Sequence, residues 1–160
     1  MGITKGYTFG VDLLETEKAY IAGLVDGEGS IGLFTCNTKG SSTPTYYLQI
    51  SITNTNKEVL FWVASKIKYG KVGVKPRNNK KWKIAYNWRV NGYVAGKFLE
   101  VIYPYLKIKR LQAEIGIEYT KTLQKYEHHY RLTEEVNVGR KELFSKIREL
   151  NLKGDKQWLP

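Results

Sequence analysis

Cysteine is almost absent from this chain. Its 160 residues hold one, Cys36, so no internal disulfide can form and the composition suits a reducing compartment. The same scarcity removes the usual zinc sets, because His128-His129 has no cysteine partners and reads as a solvated helix end. No apolar run approaches the roughly 18 residues that a membrane span needs, and the first residues carry no long apolar stretch, so neither a membrane partner nor a targeting segment is expected. No repeat period is visible. Acid is scarce in the middle of the chain: residues 29–99 contain twelve Lys or Arg and a single acid, Glu58.

The net charge of +11 is therefore unevenly placed. Residues 1–28 hold two Lys against five acids, and residues 100–160 hold twelve basic residues against nine acidic ones. A cationic excess gathered in one segment favours a polyanion, chiefly through phosphate neutralisation and counterion release. Nucleic acid is the expected partner; a small-molecule substrate is not. The hydrophobic content of 42% and the length fit one globular domain over 1–160.

One stretch organises the rest, Ala19-Tyr20-Ile21-Ala22-Gly23-Leu24-Val25-Asp26-Gly27-Glu28-Gly29-Ser30. Ala19 to Val25 suit a helix, with Thr16 as its expected N-cap and Glu17 in its first turn. Gly23 and Gly27, four apart and beside Ala22, leave one face without bulk. Such a face lets two helix backbones approach closely, or makes a tight helix-on-sheet contact. Asp26 and Glu28 stand at the C-terminal end, where the helix dipole disfavours carboxylates by a few tenths to about 1 kcal/mol each. Something positive must offset them, and a hard divalent cation takes such oxygen ligands.

From Ser30 the period changes to two. Ile31 and Leu33 oppose Gly32 and Phe34. Residues 37–45, rich in Gly, Ser, Thr and Pro, read as a long hairpin loop. Tyr46, Leu48, Ile50 and Ile52 then oppose Tyr47, Gln49, Ser51 and Thr53. Thr55 and Glu58 suggest a capping box for a helix with Val59, Leu60, Val63 and Ile67 on its apolar face. A second strand pair alternates Val72 and Val74 with Lys71, Lys75 and Arg77, turns at 78–81, and returns with Trp82, Ile84, Tyr86, Trp88 and Val90 opposite Lys83, Ala85, Asn87 and Arg89. Asn91 is the expected cap of a helix stopped at Pro104. A further helix starts around 105–110 with Leu111, Ile115 and Tyr119 on one face, and a last one spans about 138–150.

The order is helix, two strands, helix, two strands, helices. It predicts an α+β fold: an αββαββα core with a four-stranded antiparallel sheet, helices on one face, and C-terminal helices. An arm over 1–15, the core over 16–125 and an extension over 126–160 are the expected parts. The free sheet face carries Gly32, Phe34, Tyr47, Gln49, Ser51, Lys71, Lys75, Arg77, Lys83, Asn87 and Arg89. β-Ribbons of this length can enter a major groove, where Arg and Lys suit guanine, Gln or Asn suits adenine, and Phe34 suits a thymine methyl.

Ile21-Ala22-Gly23-Leu24-Val25-Asp26-Gly27-Glu28-Gly29 resembles the nine-residue signature of the LAGLIDADG homing endonucleases, with Ile for Leu first, Val for Ile fifth, Gly for Ala seventh and Glu for the usual Asp eighth. One copy is present, as in the single-motif branch. The resemblance implies a saddle of β-ribbons and a homodimer crossing at the signature helix through Ala22, Gly23, Asp26 and Gly27. It implies Mg2+, with Mn2+ as a substitute, held by Glu28 with the Gly27 carbonyl, and a mostly structural role for Asp26 at the helix contact. It places a catalytic lysine at Lys109, and the family's Gln after the second strand falls on Asn54, a shorter side chain. An Arg a turn later has no clean equivalent; Lys57 is nearest.

The implied activity is hydrolysis of both strands of a long, near-palindromic target, leaving short 3′ overhangs, in intron homing. One chain offers one free acid, and a two-fold dimer supplies one per strand. The alternative is a DNA- or RNA-binding regulator, or a splicing maturase, without cleavage. An intracellular location is expected, with a plastid, a mitochondrion and an archaeal cytoplasm all open.

Overall fold

A computed structural model of the chain describes residues 12–37, 39, 43–124 and 133–153. Among these, α1 (Glu15–Glu28), β1 (Gly29–Cys36), β2 (Thr45–Asn54), α2 (Lys57–Ile67), β3 (Lys71–Lys75), β4 (Ala85–Asn91), α3 (Gly92–Ile102), α4 (Arg110–Gln124) and α5 (Glu134–Lys153) follow in order, with a 3-10 turn at Tyr103–Tyr105. Residues 1–11 of the expected arm, His128-His129, and residues 126–132 and 154–160 of the expected extension lie outside the described residues. No helix among the described residues is long and apolar enough to cross a membrane.

The four strands form one antiparallel sheet in the order β1-β2-β4-β3. This is the expected αββαββα, α+β arrangement, continued by two helices. The period-two pattern sorts the side chains by face. Ile31, Leu33, Leu48, Ile50, Ile52, Trp88 and Val90 are buried, as are Ile21, Ala22 and Val25 of α1, Leu60, Val63 and Ile67 of α2, and Phe98, Leu99 and Ile102 of α3. Each large apolar side chain so buried contributes about 1.5–3 kcal/mol relative to exposure. Trp88 fixes the centre: its indole N–H donates to the Tyr69 carbonyl (3.0 Å) and its ring meets Phe98 edge-on at 5.4 Å. At the sheet edge, the Asn151 amide of α5 donates to the Ile31 carbonyl (3.1 Å), occupying an acceptor that an exposed edge strand would leave open.

Local signals misplaced several boundaries. α1 starts one residue before Thr16, and the Leu14 N–H donates to the Glu17 carboxylate (3.1 Å), so Thr16 is not the cap. Asn56, not Thr55, caps α2, accepting from the Glu58 and Val59 N–H groups (3.0 and 3.3 Å). Asn91 makes no side-chain cap bond. β4 begins at Ala85, which leaves Trp82, Lys83 and Ile84 in the loop. On α4 the buried face runs through Ala113, Tyr119 and Thr120, while Leu111 is exposed.

Where α3 meets α4, the helices approach too closely for a side chain at Gly96. A methyl there overlaps the Thr120 side chain, whose hydroxyl donates to the Gly116 carbonyl (2.8 Å). Gly96→Ala is expected to cost about 1–3 kcal/mol despite its better helix propensity, read as a lower urea midpoint with an unchanged slope. A midpoint equal to or above that of the parent contradicts the packing.

Candidate functional site

The last turn of α1 contains no basic residue, so its exposed carbonyls need partners from outside the helix. The Gly29 N–H donates to the Val25 carbonyl, and the Lys109 ammonium donates to the Asp26 carbonyl. The Asp26 side chain turns away from its own helix end. It accepts the backbone N–H groups of Lys107 (2.7 Å), Ile108 (3.2 Å) and Lys109 (2.9 Å). These amides lead into α4, whose first turn carries no acid. A carboxylate that is the wrong sign for α1 is the right sign for the start of α4. Asp26 therefore finds its compensation within the chain, and the cation expected to offset it is not needed for that carboxylate.

Glu28 is different. It is exposed at the end of α1, and its charge acts on Lys109, as does that of Asp26. Burial pushes the Lys109 ammonium below the ordinary lysine value, and the two carboxylates oppose that shift. Among the described residues no three His, Cys, Asp or Glu side chains gather as a metal site. At this helix end one chain thus provides one exposed carboxylate, Glu28, beside the backbone carbonyl of Gly27. Both are oxygen donors of the kind that a hard divalent cation such as Mg2+ takes.

The other candidates divide. Gly23 and Gly27 are exposed on α1, and a methyl at either meets nothing within 4 Å. Ala22 faces inward and is fully buried in the chain's own core, so it is not on that outer stripe. Tyr20 borders the stripe, 53% exposed, with its ring edge-on to Trp62 of α2 at 5.5 Å. Lys57 is exposed in the first turn of α2. Asn54 ends β2 on the helix-side row, and its side-chain oxygen accepts the Asn56 N–H (2.8 Å). That bond shapes the turn into α2 and uses one of the oxygen's two lone pairs.

The free sheet face is laid out by register. Phe34 pairs with Tyr47, their rings stacked at 5.8 Å. Gln49 pairs with Asn91, Ser51 with Arg89, Arg89 with Lys71, and Asn87 with Gly73. Lys75 closes β3 opposite Ala85. Gly32 is on this face but buried, with the Phe34 ring and the Asn151 amide over it, so it is not a contact surface. Arg77 and Lys83 fall in the β3–β4 loop rather than on the strands, and the Arg77 guanidinium donates to the Trp82 carbonyl (2.5 Å). Among the described residues the buried Asn87 side-chain oxygen has no hydrogen-bond partner. Asn91 belongs to this face and was missed as such; continuing the Asn87, Arg89 alternation by one step finds it.

The two acids should separate in experiment. Asp26→Ala leaves three amides without their acceptor and is expected to cost about 2–4 kcal/mol in denaturant unfolding, whereas Glu28→Gln should stay within about 0.5 kcal/mol. Equal costs contradict the division. For Lys109 the folded-state pKa lies below the unfolded one, so its penalty is full below the folded value and fades as pH rises toward the unfolded one. The stability gained on that alkaline limb should vanish in Lys109→Met; an identical pH profile contradicts the assignment.

No protein-family model matches the chain, and no curated protein matches it. Solved structures do match. The homing endonuclease I-CvuI, in complex with its target in the presence of Ca, superposes with a TM-score of 0.68 at 21% identity over 84% of this chain and 82% of that one. The homing endonuclease I-TnaI gives 0.65 at 17% identity over 89% and 99%. The LAGLIDADG homing endonuclease I-LtrWI, bound to target DNA, gives 0.58 at 23% identity over 94% of this chain, which spans about half of that one (47%). With the four-stranded sheet, the helix order and α1 running directly into β1, this chain has the fold of the LAGLIDADG homing endonucleases.

Proposed function

We propose that the chain is a site-specific DNA endonuclease that works as a homodimer on a long, near-palindromic target. The observation that carries the reading is the position of Glu28: exposed, beside the Lys109 ammonium, at the end of a helix whose outer face is bare at Gly23 and Gly27. A binding protein gains nothing from an unpaired acid turned toward a polyanion. An acid there suits a hydrolase that must hold positive charge against a phosphate.

Two α1 helices packed along Gly23 and Gly27 bring two Glu28 side chains together, one for each DNA strand. The Glu28 carboxylate and the Gly27 carbonyl would hold a divalent cation, Mg2+ or Mn2+, which when bound supplies charge to the phosphate and an activated water. Lys109, tied to the Asp26 carbonyl, keeps its ammonium beside Glu28, where it can hold a phosphate oxygen or order water. Asp26 holds the 107–109 segment in place and so positions Lys109. The free face, with Tyr47, Gln49, Ser51, Lys71, Lys75, Asn87 and Arg89, lies along the major groove and carries the sequence preference. Short 3′ overhangs and a part in intron homing belong to the same reading.

Plasmids carrying candidate insertion sites, incubated with Mg2+ or with Ca2+, test it. Cutting is expected with Mg2+ alone, and Glu28→Gln should bind but not cut. A tightly bound site that is never nicked favours a regulator or a splicing helper instead. The dimer has its own check. Gly23→Ala should raise the stability of the isolated chain by up to about 1 kcal/mol. Gly23→Leu should leave the fold intact and lower the sedimenting mass toward the monomer. An unchanged mass contradicts pairing through this face.

A further inference from the structure

The loop between β3 and β4 combines three features that the sheet's reading of a groove does not use. It is basic, with Arg77, Lys80, Lys81 and Lys83 close in sequence and no acid between Glu58 and Glu100. It presents large apolar side chains to solvent, Trp82 at 62% and Ile84 at 44% exposure. It is also internally fixed. The Trp82 N–H donates to the Asn79 carbonyl (3.2 Å), the Lys81 N–H to the Asn79 side-chain oxygen (2.9 Å), and Arg77 to the Trp82 carbonyl. Both backbone groups of Trp82 are thus bonded within the loop while its ring stands in water.

Register places this loop relative to the acids. Gly29, next to Glu28, pairs with Ile52, Ile52 with Trp88, and Trp88 with Val72. Moving three residues along β3 and β4 from that row reaches the closing pair of Lys75 and Ala85. The loop therefore projects from the end of the sheet that receives α1, opposite to the β1–β2 loop. Strand rise and strand spacing put its base roughly 17 Å from the end of α1.

We propose that the 76–84 loop is a separate DNA-contacting tip, in which Trp82 packs against the sugars of the duplex to one side of the cut, while Lys80, Lys81 and Lys83 hold the neighbouring phosphates. This rests on the nuclease reading above. The charge selects the occupant: two copies of so basic a loop repel each other, and the cationic surface continues from Lys71, Arg89 and Lys75 into the tip. A ring on a fixed backbone loses little freedom on contact, and a ring laid against the sugars of a duplex meets no base-specific group. The tip adds affinity and sets where the duplex lies, without reading bases.

The test uses the full chain, with Ca2+ present, and a duplex that the chain itself recovers from a randomised pool. Trp82→Ala is expected to weaken binding about tenfold to a hundredfold while leaving the log–log salt slope unchanged. Trp82→Phe should stay within about threefold of the parent, since the ring face is kept. Lys80→Ala with Lys81→Ala should reduce the slope by about 0.9 for each phosphate that is no longer neutralised. All these side chains are exposed, so the thermal midpoint should not move, and 2-aminopurine stepped outward from the cut should at one position change its emission with the parent and not with Trp82→Ala. Parent-like affinity in Trp82→Ala overturns the tip alone. So does a Trp82→Ala effect confined to phosphatidylserine vesicles or to the sedimenting mass, which moves the ring to a lipid surface or a second copy. If the parent recovers no duplex at all, the nuclease reading falls and the tip falls with it.

Discussion

The architecture of the site depends on a carboxylate bonded to three amides. Asp26 accepts from Lys107, Ile108 and Lys109, and Lys109 returns its ammonium to the Asp26 carbonyl. Two helix ends that would each be unsatisfied alone, the C-terminus of α1 and the approach to α4, are satisfied by each other. Removing one side of such a part-buried arrangement leaves the other uncompensated, which is why its loss costs more than the net worth of its bonds. The same arrangement fixes which acid is free. Asp26 is bound by the scaffold, and Glu28 is the acid that stays exposed at this helix end.

The sheet extends that logic outward. Its helix side is a closed apolar core anchored on Trp88, which removes any freedom of register, because a one-residue slip would turn Ile50 and Ile52 into solvent. Its other side is then fixed as a polar array: stacked Phe34 and Tyr47 near one end, Ser51, Arg89 and Lys71 across the middle, Asn87 beside the gap at Gly73. With no acid between Glu58 and Glu100, that surface attracts phosphate wherever it is approached. Direct continuation of α1 into β1 joins the cationic face to the acidic helix end without an intervening loop.

Much of this was legible in the residues, and the exceptions share a cause. Elements announced by a local period, such as β2 with its alternating Leu48, Ile50 and Ile52, were readable to within a residue or so. The contiguous glycines and acids of 22–29 were readable as a unit. The three amides that Asp26 binds were not, because they lie 81 to 83 residues away and nothing near it in the chain names them. The β4 boundary failed because Trp82 and Ile84 keep the strand's alternation while Arg77 and Asn79 bond the Trp82 backbone into a loop. Gly32 followed the right face but lies beneath Phe34 and Asn151, a covering that only packing reveals. Asn54 matched a position by resemblance, and the bond its oxygen takes from the Asn56 N–H, which shapes the turn into α2, was not announced by the sequence.

The most direct measurement is a crystal structure of the full chain on a recovered target duplex with Ca2+ in place of Mg2+. The account requires two chains joined along Gly23 and Gly27, each Glu28 carboxylate on an ion beside a phosphate, and each Asp26 still bonded to the amides of 107–109. Asp26 on the ion, or Glu28 remote from both ion and phosphate, contradicts it.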